Sequence, residues 1–206
     1  MRESVFAFAL EVDRQIEALT REQFHLRTGR AKRLLEELYP LSRFALQLTY
    51  PGNHPEVEAF EDDGPLDGAI HRGDDPASRL DVEVTYVHSY EAALRRELMW
   101  TTGSAPCAGA IYRDRQTGKI VATGAIVPTS EEVAQLAAAI VERFKKKCTK
   151  TYPMGTVLLI AFDDPTFWGV DLWGQLCAAI NAHGVLEGKF GDLYIFNCGS
   201  NELQVI

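Results

Sequence analysis

Asp81, Glu83 and Thr85 alternate with Leu80, Val82, Val84 and Tyr86 along residues 80–87. That period of two predicts a half-buried strand with both carboxylates and the hydroxyl on one face. Upstream, Pro65-Leu66-Asp67 closes a Gly-Pro-Leu-Asp turn and runs into the apolar pair Ala69-Ile70, so a neighbouring strand can carry Asp67 to the same edge. Clustered carboxylates suit Mg²⁺, which takes one or two of them and completes its shell with water or substrate phosphate. Asp67, Glu83 and Asp81 are therefore the candidate metal ligands. The competing explanation is that an Asp-x-Glu-x-Thr face is the solvent side of an ordinary two-faced strand.

Other residues carry chemistry with a plainer alternative beside each. Lys145, Lys146, Lys147 and Lys150 suit a phosphate backbone, but cations in a last helical turn also complement the helix dipole. Asp163-Asp164 stands at the end of an apolar run, where it suits either a metal or a strand-terminating turn before Pro165. His88 follows the acidic strand and has the chemistry of a general acid or base near neutral pH; a cap-region histidine is the alternative. Trp168 and Trp173 suit stacking on a base or simple core packing. Cys107, Cys148, Cys177 and Cys198 lie far apart, with no C-x-x-C pair and no histidine at zinc spacing, which reads as free thiols.

The elements that must position these residues follow from periodicity. An amphipathic helix is expected over the first twenty residues, from Val5, Ala9, Val12, Ile16 and Leu19, and a second from Leu34 to Leu48. Pro40 should kink or restart the second helix at Tyr39-Pro40. Short strands are expected over 56–60 and 66–71, then the acidic strand, then a helix from Tyr90 to about Trp100 with Ser89 as N-cap. Residues 108–113 and 120–127 flank Gln116-Thr117-Gly118-Lys119 and read as a β-hairpin. Thr129-Ser130-Glu131-Glu132 reads as a capping box opening a helix with the stripe Val133, Leu136, Ala137, Ile140, Val141 and Phe144. Residues 157–162 form a continuous apolar run of the central-strand kind; a helix over 172–182 and a strand over 193–197 follow. The order predicts a single α/β domain over 1–206, a mixed central sheet flanked by helices.

Composition bounds the rest. The chain has 206 residues, enough for a sizeable core without staples, and a formal net charge of −8, so nucleic acid could be met only by a local basic patch. The apolar start over 5–10 is too short for a signal-peptide core, and no stretch is long enough to span a bilayer. A cytoplasmic protein without membrane association is expected.

Element order and acidic residues together resemble the PD-(D/E)XK nuclease-like superfamily. Pro65-Leu66-Asp67 is similar to the first half of its motif and Glu83-Val84-Thr85 to the second, over about residues 30–165. The resemblance implies a restriction-endonuclease-like core with an added N-terminal helix and a β-hairpin insertion, Mg²⁺ as cofactor, and metal-dependent hydrolysis of a phosphodiester in DNA or RNA. It implies catalytic roles for Asp67, Glu83 and Thr85, with Glu36 or its neighbour Glu37 as the helix carboxylate; Glu36 is taken first. The sequence departs from the family at Thr85, which stands where the family places a lysine that offsets charge developing on the phosphate. Arg72, Arg95 or Arg96 is then expected to supply the positive charge, as a clamp and not as a base. Loss of that lysine also fits a noncatalytic relative that binds a protein or nucleic acid.

Overall fold

The computed structural model describes residues 2–61, 64–73, 78–106, 109–123, 129–164, 167, 169–184 and 189–206. A two-residue strand, β1 (Glu3–Ser4), opens directly into α1 (Val5–Glu17), where the Ser4 hydroxyl accepts from the Ala7 amide at 3.2 Å. The expected helical stripe holds here, with Val5, Phe8, Ala9 and Val12 buried. Next comes α2 (Arg21–Leu26), a short helix that the apolar period does not show. Its signal is a reciprocal capping box between Thr20 and Gln23.

The expected restart at Tyr39-Pro40 takes the form of a change of helix type. α3 (Arg30–Arg33) passes through a π turn (Leu34–Leu38) into α4 (Tyr39–Gln47), which carries Pro40 in its first turn, and the three run on as one rod. The proline ring would clash with the carbonyl four residues back and offers no donor to it. A wider π turn before it accommodates both defects.

The sheet is built in two halves. β2 (Glu56–Ala59), β3 (Gly68–His71) and β4 (Arg79–Tyr86) form an antiparallel meander, with β1 added outside β2. α5 (Tyr90–Thr102), capped by the Ser89 hydroxyl at 3.0 Å from the Ala92 amide, follows β4. The hairpin β5 (Ile111–Arg113) and β6 (Ile120–Ala122) forms a separate two-stranded sheet. It is shorter than expected, and positions 108 and 124–127 of the expected strands lie outside the described residues. α6 (Thr129–Cys148) then returns the chain to β7 (Val157–Phe162), which lies parallel to β4. α7 (Val170–Ala182) leads to β8 (Asp192–Asn197), parallel to β7, and β9 (Glu202–Val205) closes the edge antiparallel to β8. The seven-stranded order is β1-β2-β3-β4-β7-β8-β9, a mixed and mostly antiparallel sheet.

Two apolar layers sandwich it. On one face α1, the π turn and α4 pack Phe8, Leu34, Leu41 and Phe44 against Ile70, Val82, Val84 and Leu159. On the other, α6 and α7 pack Ile140, Phe144, Leu176 and Ile180 against Leu158, Ile160 and Ile195. β7 is buried on both faces, which is why residues 157–162 lack polar alternation. No helix among the described residues is long and apolar enough to cross a membrane.

Candidate active site

The carboxylates meet where β3 parts from β4. Gly68 pairs with Val82, Asp67 immediately precedes that last pair, and Glu83 follows Val82 on the strand, paired with Leu158 of β7. The Asp67 amide donates to the Val82 carbonyl at 3.0 Å, and its own carbonyl accepts from the Phe60 amide at 3.0 Å. With its backbone pinned from both sides, Asp67 uses Oδ2 to accept the Val84 amide at 2.7 Å. Glycine is required next to it. A Cβ at Gly68 would lie 2.6 Å from Leu41 Cδ2 and 2.8 Å from the Glu58 carbonyl oxygen, closer than packed atoms allow.

Glu83 is 4 % exposed, close enough to Asp67 for their charges to repel. Its Oε1 accepts from Lys147 Nζ, in the last turn of α6, and faces the Tyr152 hydroxyl at 3.4 Å. Burial pushes both carboxyls above their ordinary range. At Asp67 the Val84 amide and Lys147 pull the other way; at Glu83 Lys147 pulls down while the Asp67 charge pushes up. The two groups titrate as a pair that holds a proton more tightly than either alone.

Glu37 belongs to the same electrostatic group. It is half-buried on the π turn, and burial followed by repulsion from Asp67 raises its carboxyl too, against the pull of Arg33 at 3.7 Å. Glu36, the helix carboxylate expected first, turns elsewhere. It meets His88 Nε2 at 2.9 Å and Arg27 Nη1 at 3.7 Å. Burial opposes its ionisation, but the hydrogen bond from His88 and the charge of Arg27 hold it below the usual carboxylate range. This second cluster continues through Tyr86, whose ring stacks on His88 at 4.7 Å and lies under the Arg27 guanidinium at 4.7 Å. Asp163 joins it through Arg27 Nη2 at 3.3 Å, so His88 and Asp163 are structural partners here, away from the Asp67–Glu83 pair.

The remaining candidates separate. Asp81 is engaged by Arg79 Nε at 2.7 Å. Thr85 is buried on the Glu83 face, beside Ile160 of β7. Arg95 donates to the carbonyls of Pro106 and Gly109 at 3.1 and 2.6 Å, Arg96 lies near Arg27, Tyr86 and Glu36, and Arg72 is exposed. The cation on Glu83 is therefore none of the three arginines but Lys147. Sequence reasoning treated Lys147 as one of a run complementing the helix dipole, yet Ile140, Phe144 and Lys147 fall at i, i+4 and i+7 and share the sheet-facing stripe. Tyr152 gave no such signal, because it follows α6 in an irregular segment. Trp173 is core: its rings pack on Phe162 and Phe167, and its Nε1 donates to Glu202 at 2.9 Å. Trp168, Cys107 and Pro165 lie outside the described residues.

Among the described residues no three His, Cys, Asp or Glu side chains converge closely enough to hold a metal ion. The pair Asp67 and Glu83 still supplies the one or two carboxylates that Mg²⁺ takes from protein. A cavity of about 550 Å³ opens elsewhere, between α5 and α6 over the ends of β4 and β7, and none of its lining residues belongs to this pair. Neither protein-family models nor curated proteins nor solved structures yield a match to the chain.

Proposed function

We propose that this protein is a metal-dependent phosphodiesterase of the PD-(D/E)XK nuclease-like type, acting on DNA or RNA through Asp67, Glu83 and Lys147. The observation that carries the reading is the convergence of a buried carboxylate on β4 and a half-buried one just before β3 with an ammonium from the flanking helix. A helix, the meander β2-β3-β4, a helix and a further strand, the order that the resemblance implies, supports the reading. Glu37 replaces Glu36 as the helix carboxylate in this reading. Lys147 takes the role of the missing motif lysine, reaching Glu83 from α6 instead of from position 85.

Asp67 and Glu83 would hold Mg²⁺, which supplies Lewis acidity at a phosphoryl oxygen. The chain's own contribution is electrostatic. Hydrolysis forms a bond from water oxygen to phosphorus, breaks the bond to the departing sugar oxygen, and delivers a proton to that oxygen. Negative charge grows on the phosphoryl oxygens as it proceeds, and the Lys147 ammonium offsets it. Glu37, its carboxyl raised by burial and by the charge of Asp67, is the nearby group placed to hold a proton.

The test is cleavage of single- and double-stranded DNA and RNA with Mg²⁺ or Mn²⁺. The wild type should cleave at least one, and Glu83→Gln, Asp67→Asn and Lys147→Met should each lose at least 10²-fold, about the effect of removing one preorganised charge-stabilising group, while staying folded. The direct ion pair between Lys147 and Glu83 favours a second reading, in which lysine neutralises the carboxylate and the domain only binds a polyanion. Metal-independent nucleic-acid binding without cleavage by any of these proteins would select it.

A further inference from the structure

Glu83 receives both of its basic or hydroxylic donors on a single oxygen. Lys147 Nζ and the Tyr152 hydroxyl both meet Oε1, and neither engages Oε2. The hydroxyl stands off at 3.4 Å, long for such a hydrogen bond, with the ammonium ahead of it. Tyr152 is itself held in place. Its side chain is 9 % exposed and its ring packs on Phe190 at 4.9 Å, and Phe190 in turn packs on Phe144 of α6.

The proposed function requires Lys147 to leave Glu83, at least in part, when a phosphate arrives. A buried carboxylate that loses its donor is costly and disordered. We propose that Tyr152 is a positioning residue that takes over Oε1 as Lys147 turns to the substrate, so that Glu83 keeps its orientation and Oε2 would stay available to a bound metal ion. This rests on the phosphodiesterase reading for its purpose but not for its geometry. The hydroxyl is already directed at Oε1 at 3.4 Å, within a fraction of an ångström of the usual bonding distance.

The consequence is redundancy. With either donor present Glu83 is held; with neither it is a bare buried carboxylate. Four proteins test this: wild type, Tyr152→Phe, Lys147→Met and the double variant. Tyr152→Phe keeps the ring packing on Phe190, so loss of the hydroxyl is its main effect. The urea midpoints at neutral pH should drop further in the double variant than the two single drops added together. Mn²⁺ affinity by calorimetry should follow the same order, with Tyr152→Phe near wild type and the double variant weakest. In cleavage, Tyr152→Phe should lower kcat on the order of tenfold with KM within about twofold, because the hydroxyl is needed only after Lys147 has moved. Additive midpoints, or a Tyr152→Phe enzyme with unchanged kcat, would overturn the proposal. If the wild type neither binds metal nor cleaves, the phosphodiesterase reading falls, and the midpoints still decide whether Tyr152 is the second donor.

Discussion

Asp67 and Glu83 are held side by side in a place that disfavours ionising both. Their ordinary values are 3.8 and 4.5, and burial raises each in the folded protein. The unfolded chain therefore loses its protons first as pH rises. The folded state is favoured most below the ordinary range, and this contribution is lost as pH climbs through the raised values, at roughly 1.4 kcal/mol per unit of separation. Asp67→Asn keeps an oxygen to accept the Val84 amide and removes the charge. We predict that it is more stable than wild type at pH 7, with the advantage shrinking as pH falls toward 4; urea titrations over that range check it, and an unchanged gap would remove the cause assigned here. The adjacency of Asp67 and Glu83 is legible from the chain because strand alternation and a Pro-Leu-Asp turn are local signals. The choice between Glu36 and Glu37 is not, since one residue of helical rotation separates them and a π turn alters that rotation.

Elements place the site more strictly than the site residues themselves do. Gly68 lets β3 pass beneath Leu41 of α4 and against β2, and that passage fixes Asp67 at the point of divergence. Gly68→Ala should cost about 1–3 kcal/mol through overpacking, seen as a lower urea midpoint, and should displace Asp67 enough to weaken Mn²⁺ binding by calorimetry. Ile140, fully buried between α6 and the sheet, gives a sharper expectation. Ile140→Asp buries an unpaired charge and should leave no cooperative thermal transition above room temperature, whereas Ile140→Val should cost only about 0.5–1.5 kcal/mol. The long periodic elements, α1, α6, β4 and β7, could be read from hydrophobic spacing. β1 and β9, with two and four residues, are too short to show a period, and α2 declares itself only through its cap. Which strands run parallel was not readable locally at all, because β4 pairs with β7 across seventy residues of intervening chain.

At the scale of the whole molecule, a formal charge of −8 argues against general attraction to nucleic acid, yet cations gather at the candidate site. Arg33 and Lys147 bias Asp67, and Lys150 biases Glu83. They come from two places far apart in sequence, the start of the α3 rod and the end of α6, so the patch exists only once the sheet has brought those ends together. Binding of a single-stranded oligonucleotide should then depend on salt through these few contacts alone. Three neutralised phosphates give a slope of log K against log salt of about −2, much shallower than for a protein that is basic throughout. Lys150→Ala should weaken binding and reduce that slope by about 0.7, because its charge lies at the rim and its removal leaves Asp67, Glu83 and Lys147 in place. Lys119→Ala, on the separate β5–β6 hairpin, removes the same charge from elsewhere and should leave the slope unchanged. Fluorescence anisotropy across a salt series measures both. Equal changes for the two variants would mean that net charge governs binding, and that the cations beside the carboxylates do not form the surface a polyanion meets.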